Sequence, residues 1–360
     1  MSRLRLTQEH VEAALVGGSF LGGGGGGSMA KGRILGEAAL AAGPVELVSL
    51  DEIDSESVLL TCSAVGAPAA KASMVKPEAT VRVIELIKEL GVPTPAGLIT
   101  NENGGGSTFN GWLPAAMSGL PIIDAPCNGR AHPTGTMGSM ALHRDKKFIS
   151  CQAAAGGNPD AGRYLEASFR GPMESVAALV RQCAVQAGGL VAVARNPVRA
   201  QYVQKFAAPG GIRLAIETGM RMRSAIARGA EAVAQAAVDF LGGSIIAQGT
   251  VDSLELTTEG GFDHGIIMAG GCELTFWNEY MTLERDGTRL GTFPDLIMTL
   301  DGTTGMPVTT AGLHPGQHVI VTLVPARNIP LGAGMFCREL LSPIEDIVRK
   351  SILPYAELKD

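Results

Sequence analysis

The apolar positions of this chain change their period along its length, and those changes divide it. TQEHVEAALV, Thr7 to Val16, carries apolar residues at helical spacing behind a threonine suited to cap a helix. It leads into GGSFLGGGGGGS, Gly17 to Ser28, after which a second helix is predicted over Met29 to Ala42. VELVSL and SVLLTCSAVG are apolar runs of the kind found in a sheet buried on both faces. Lys76 to Leu90 has the pattern of an amphipathic helix, closed by Gly91. GLIT, Gly97 to Thr100, reads as a short strand ending at NENGGGS, and a helix around Gly111 to Ser118 leads into the strand LPIIDA. This alternation predicts an α/β N-terminal domain with a mostly parallel sheet, whose ligands collect at the carboxyl ends of strands. NENGGGS and APCNGRAHP both stand at such ends and are expected to face one crevice.

After about Arg163 the pattern changes. A helix over Met173 to Gln186, an apolar strand LVAVA and a helical region from Ile212 to Leu241 give way to short alternating runs between Gly243 and Ala326. The pair Asp286–Gly287 marks a hairpin. The expected organisation is a glycine-loop domain over 1–165 and an α+β domain over 166–360, β-rich over 243–326 and ending in a β-sheet or small barrel.

Composition narrows the function. With 46% hydrophobic and 18% charged residues the chain is too apolar to be disordered. A net charge of −6 without basic runs gives no reason to bind nucleic acid. The apolar stretches are shorter than the roughly 20 residues that span a bilayer, and MSRLRLTQEH lacks the apolar core of a signal peptide, so the expected address is the cytoplasm with no membrane partner. Six cysteines without CxxC spacing predict free thiols. A mean hydropathy of +0.20 favours a homo-oligomer.

Several segments carry candidate chemistry. Gly22 to Gly27 lacks the GK[ST] ending of a phosphate loop and follows a helix, which points instead to close backbone approach, with Ser19 and Ser28 as polar contacts. NENGGGS joins Glu102 to Gly104, Gly105 and Ser107, and is either a solvated turn or part of a site. Asp124 either caps a turn or serves chemistry, and Arg130, beside Asn128, suits a carboxylate ligand or an internal pair with Asp124. Cys127 and His132 are either a small hydrophobe and a hydrogen-bonded imidazole, or a thiolate with its base, since Arg130 would lower a neighbouring thiol's pKa. His264, Cys272, Asn278 and Glu279 form a second polar group, either the wet face of a hairpin or, for His264 and Cys272, zinc ligands joining Cys127 and His132.

Taken together, LGGGGGGS, ENGGGS, GLPIIDAPCNGRAHP, GGFDHG, FWNEY, PDLIMTLDGTTGMPVTT and LHPGQHVIVTLVPA resemble the DUF917 family, named for S-methyl-thiohydantoin desulfurase. The resemblance implies a two-domain cytoplasmic protein that hydrolyses an S-methylated thiohydantoin carrying a propanoate arm to the hydantoin and methanethiol. Its gene neighbours imply an alternative, a non-catalytic ligand-binding or regulatory partner of a hydantoinase/oxoprolinase-type ATPase. The chain departs from the family's D-x-D-x-x-G-R-A-F-P-E pattern at Pro126, Cys127, His132 and Thr134. The expected chemistry has Cys127 attack ring carbon C2 as a thiolate, His132 shuttle the proton, Arg130 hold the substrate carboxylate or support the thiolate, and Glu102 or Asp124 bond ring nitrogens. Asn128, Gly104, Gly105, Ser107, Asn278 and Glu279 complete the binding set. A metal version uses the same residues around zinc.

Overall fold

The computed structural model describes residues 3–66, 72–259 and 261–359. Its first sheet holds β1 (Leu4–Arg5), β2 (Glu46–Val48), β3 (Val58–Gly66), β4 (Gly97–Thr100), β5 (Ile122–Ile123), β6 (Ser150–Gly156), β7 (Leu165–Gly171) and β8 (Leu190–Arg199). The spatial order is β1-β2-β5-β4-β3-β8-β6-β7. Parallel pairing is confined to β2–β5, β5–β4 and β4–β3. The ladders β1–β2, β3–β8, β8–β6 and β6–β7 are antiparallel. The expected mostly parallel sheet is therefore mixed.

The connections explain the difference. Helices α1 (Gln8–Leu21) and α2 (Met29–Ala42) precede β2, α3 (Pro77–Glu89) crosses from β3 to β4, and α4 (Trp112–Ser118) crosses from β4 to β5. Crossover helices return the chain parallel, whereas the short link between β6 and β7 allows only an antiparallel hairpin. β6 is the run SCQAAAG, whose Ala and Gly give no strand signal. β7 and β8 join this sheet although they begin at residue 165 or later, the segment expected to open the second domain.

Beyond it come α5 (Met173–Gln186), α6 (Ala200–Phe206), α7 (Gly211–Ala225) and α8 (Ala230–Leu241). The second sheet comprises β9 (Ser244–Glu259), β10 (Phe262–Ala269), β11 (Cys272–Trp277), β12 (Glu279–Arg285), β13 (Thr288–Thr292), β14 (Leu296–Asp301), β15 (Pro307–Val308) and β16 (His318–Val324). Its order is β13-β12-β11-β10-β9-β16-β14-β15, with antiparallel ladders throughout. Asp286 and Gly287, with φ of 50° and 72°, form the expected tight turn between β12 and β13. Helix α9 (Arg338–Val348) follows.

Helix α1 is longer than its pattern suggests, because Gly17 and Gly18 stay helical and buried. A Cβ on Gly17 would strike the carbonyl of Ala215, and one on Gly219 the carbonyl of Ala13. The two glycines thus let α1 lie directly on α7, and Met222 of α7 joins Val233 and Val238 of α8 in one core with Met298 and Ile320 of the second sheet. That contact fixes where the glycine run after α1 emerges. No helix among the described residues is long and apolar enough to cross a membrane.

Candidate functional site

Gly22 to Gly27 pass between the two sheets, with φ of 56° at Gly23, 95° at Gly24, 74° at Gly26 and 81° at Gly27. These are left-handed conformations that favour glycine. Space demands glycine as well. A Cβ on Gly23 would meet Arg130 Nη2, one on Gly25 would overlap the Glu279 carboxyl, and one on Gly26 would lie 2.6 Å from Gly104 Cα. The loop's carbonyls hold both halves: Gly23 O accepts from Tyr280 N (2.9 Å), Gly24 O from Thr310 N (2.9 Å), and Gly26 O from Gly106 N and Ser107 N (both 3.0 Å). The run is used for close loop-to-loop approach. Ser28 caps α2 by accepting from Lys31 N, and the Ser19 hydroxyl is buried without a partner.

NENGGGS and APCNGRAHP do meet. Glu102 Oε2 lies 3.2 Å from His132 Nε2 and accepts from the His132 backbone N–H at 3.3 Å, while Glu102 Oε1 accepts from the Ser107 hydroxyl at 2.8 Å. His132 is 7% exposed, and neither ring nitrogen has a well-aligned hydrogen bond. Burial lowers its pKa; Glu102 pulls it up, Arg195 presses it down, and the nearby carbonyls of Thr134 and Asn101 favour protonation. Gly138 packs on the ring so closely that a Cβ there would collide with Nε2.

Arg130 stands beside this pair and is 0% exposed. Its Nη1 donates to the carbonyls of Pro294 (3.0 Å) and Asp295, its Nε to Ala131 O (3.2 Å), and its guanidinium lies 4.6 Å from the centre of the Phe293 ring. It therefore ties the first sheet's loops to the second, where a substrate carboxylate had been expected. Glu279 faces it: burial and the negative charge of Glu102 raise the Glu279 pKa well above the carboxylate range, against the pull of Arg130.

Other expected residues serve the frame. Asp124 Oδ1 accepts from Ile212 N (2.8 Å) and Arg213 N (3.1 Å), and its Oδ2 is 3.1 Å from Arg213 Nε, so both oxygens sit at the N-terminus of α7. Asn128 bridges Gly332 N and Arg130 O. Asn278, with φ of 56°, makes a tight turn by exchanging hydrogen bonds with Asp263. Gly104 and Gly105 accommodate the backbone around Gly26 and Gly27.

Cys127 is 1% exposed among apolar residues, its Sγ 3.3 Å from the Thr61 hydroxyl. Burial pushes its thiol up to about 11, the reverse of the activation expected from Arg130, whose Nη1 and Nε are turned to carbonyls. The four zinc candidates are likewise not gathered. Cys272 meets Arg285 Nη2 at 3.4 Å inside the second sheet, and His264 lines a separate cleft with Phe262, Trp277 and Asp346. Among the described residues, three metal-ligating groups come within 4.8 Å of one another only at His143, Cys337 and Glu339, where Arg144 already holds the carboxylate with two hydrogen bonds.

Two domain models of one family cover most of the chain, "S-Me-THD-like, N-terminal domain" over residues 9–160 and "S-Me-THD-like, C-terminal domain" over residues 172–330. The chain belongs to the S-Me-THD-like family. No curated protein matches it. A crystal structure of a protein from Chromobacterium violaceum is similar over 99% of each chain, with a TM-score of 0.70 at 20% identity, a likeness of fold alone.

Sequence reasoning passed over two residues of this S-Me-THD-like chain. Asn103 is fully buried and donates to Gly129 O (3.2 Å) and Gly211 O (2.7 Å), joining both loops to α7. Arg195 follows the apolar run LVAVA on β8, and a lone cation in such a run is the signal that would have found it.

Proposed function

We propose that this protein is a hydrolase of an S-methyl-thiohydantoin-type ring, with Glu102 and His132 activating water at ring carbon C2. What supports the reading, beside the family, is one buried cluster with opposed tendencies: burial lowers the pKa of His132 and raises that of Glu279. Titratable groups driven apart in this way are suited to separate acid and base roles.

In the reaction, neutral His132 takes a proton from water while the oxygen bonds to C2. The C2–S bond then breaks, His132 returns its proton to sulfur, and methanethiol departs. The remaining hydroxyl proton moves to the ring nitrogen, leaving the hydantoin carbonyl. Glu102 steadies the imidazolium that forms between these steps, as a charge 3.2 Å away in a water-poor site can. Glu279, as a neutral acid, donates a hydrogen bond to the ring without net proton loss. Cys127 has a packing role here, since a thiol near 11 supplies little thiolate at neutral pH.

The test is methanethiol release from an S-methyl-thiohydantoin propanoate by purified protein, followed with a thiol reagent. Turnover that disappears in H132Q and persists in C127S is expected. Wild-type protein that releases no methanethiol would overturn the assignment in favour of a binding role.

A further inference from the structure

Arg195 pairs across the first sheet with Thr61 of β3 and Gln152 of β6. Residues directly opposite in antiparallel ladders share a face, so the three side chains stand in a row. Thr61 also fixes which face this is, because its hydroxyl touches Cys127 Sγ at 3.3 Å in the loop that continues to His132. The same loop covers the guanidinium, since a Cβ on Gly135 would lie 3.2 Å from Arg195 Nη1.

The row is set up to receive something. Gln152 Nε2 donates to Ser150 Oγ (3.0 Å), and Ser150 Oγ donates to Asn196 Oδ1 (2.7 Å), which holds the amide in one orientation and leaves buried Gln152 Oε1 without a donor. Ser63, two residues beyond Thr61 on the same face, is also buried with an unpartnered hydroxyl. Asn196 takes a φ of 50°, a left-handed kink directly after Arg195. Arg195 is half-buried and has no hydrogen-bond or ion-pair partner among the described residues. Burial lowers its pKa, and the nearby Glu102 works the other way.

Half-buried cations without a partner are uncommon because the charge gains no compensation for lost water. We propose that Arg195 is the anion anchor of the site, taking the carboxylate of the ligand while Gln152 Oε1 accepts an N–H from the same molecule. The inference rests on the reading of the Glu102–His132 site as the place where a ring binds, and it gives Arg195 the part first expected of Arg130.

Calorimetry with two unreactive ligands tests it: a hydantoin bearing a propanoate arm, and the same ring bearing an ethyl group. Wild-type protein is expected to bind the carboxylate ligand about 10- to 100-fold more tightly, the usual range for charge-assisted hydrogen bonds. R195M should bind the two alike, with a cooperative thermal melt showing that the variant is folded, and R195K should fall between. A carboxylate preference that survives in R195M, or no preference or no saturable binding in the wild type, overturns the inference. A preference erased by R195M in a protein that releases no methanethiol keeps the anchor and removes the hydrolytic reading. Methanethiol release without any carboxylate preference does the reverse.

Discussion

Replacing Glu102 by glutamine isolates the electrostatic part of the proposed base. The shape is kept and an amide oxygen can still accept from the Ser107 hydroxyl, while the long hydrogen bond from the His132 backbone N–H goes with the second oxygen. What is lost is a full charge 3.2 Å from His132 Nε2. An opposite charge at this range raises a neighbour's pKa by about 1–3 units, so His132, already lowered by burial, falls further in E102Q. Because the neutral imidazole is the working form, the acidic limb of kcat/KM should move to lower pH by about 1–3 units. The plateau should drop as well, since a weaker base accepts the water proton less readily. H132Q should lack the limb and lose about 10²- to 10⁴-fold in kcat/KM. Methanethiol release measured across pH, with thermal melts to verify folding, gives both quantities. An E102Q limb that stays in place or moves to higher pH refutes the pairing, and full turnover in H132Q refutes the mechanism.

Four further outcomes are expected. C127S should keep turnover within about threefold, and Cys127 should react slowly with iodoacetamide at pH 8, as a thiol near 11 requires; rapid alkylation protected by substrate would restore the thiolate scheme. Asp124→Ala should lower stability by about 1–2 kcal/mol or more in denaturant titrations, because Ile212 N and Arg213 N lose their acceptor; an unchanged midpoint would show that α7 does not depend on it. G25A should destabilise by at least about 1–3 kcal/mol through overlap with the Glu279 carboxyl, unless the loop yields freely, which an unchanged melting temperature would show. Glu279 keeps its proton longer folded than unfolded, so its contribution to stability is present below about pH 4.5 and is lost as pH rises through its folded pKa; E279Q should flatten that decline in melting temperature, and parallel curves would refute the shift.

Much of the frame was legible because it depends on local patterning. The helices over Met29–Ala42 and Met173–Gln186, the strand Gly97–Thr100 and the Asp286–Gly287 hairpin lie where periodicity and turn chemistry put them. β6 was not legible, since SCQAAAG looks neither alternating nor β-branched and is a strand only because β8 and β7 flank it. The meeting of ENGGGS with CNGRAH was readable from strand-end placement, but the partners of each polar group were not. Asp124 and Arg130 have the residue types of site groups, yet one serves the amides of α7 and the other the carbonyls at 294–295, contacts separated by 88 or more positions in the chain. Only tertiary structure decides such competition.

The glycine run shows how that competition is resolved at the junction of the two sheets. Arg130 and Glu279 come from different sheets, and a buried ion or acid near a junction normally draws in water or withdraws from its partner. Here bare backbone closes the space: positions 23 and 25 lie against the two side chains at distances no Cβ could occupy. Excluding water in this way lowers the local dielectric, which raises the Glu279 pKa and strengthens the attraction between Glu102 and a protonated His132. The six glycines thus act on the site through what they keep out. Any side chain at position 23 or 25 should loosen the junction and bring the pKa values of Glu279 and His132 back toward their ordinary values together.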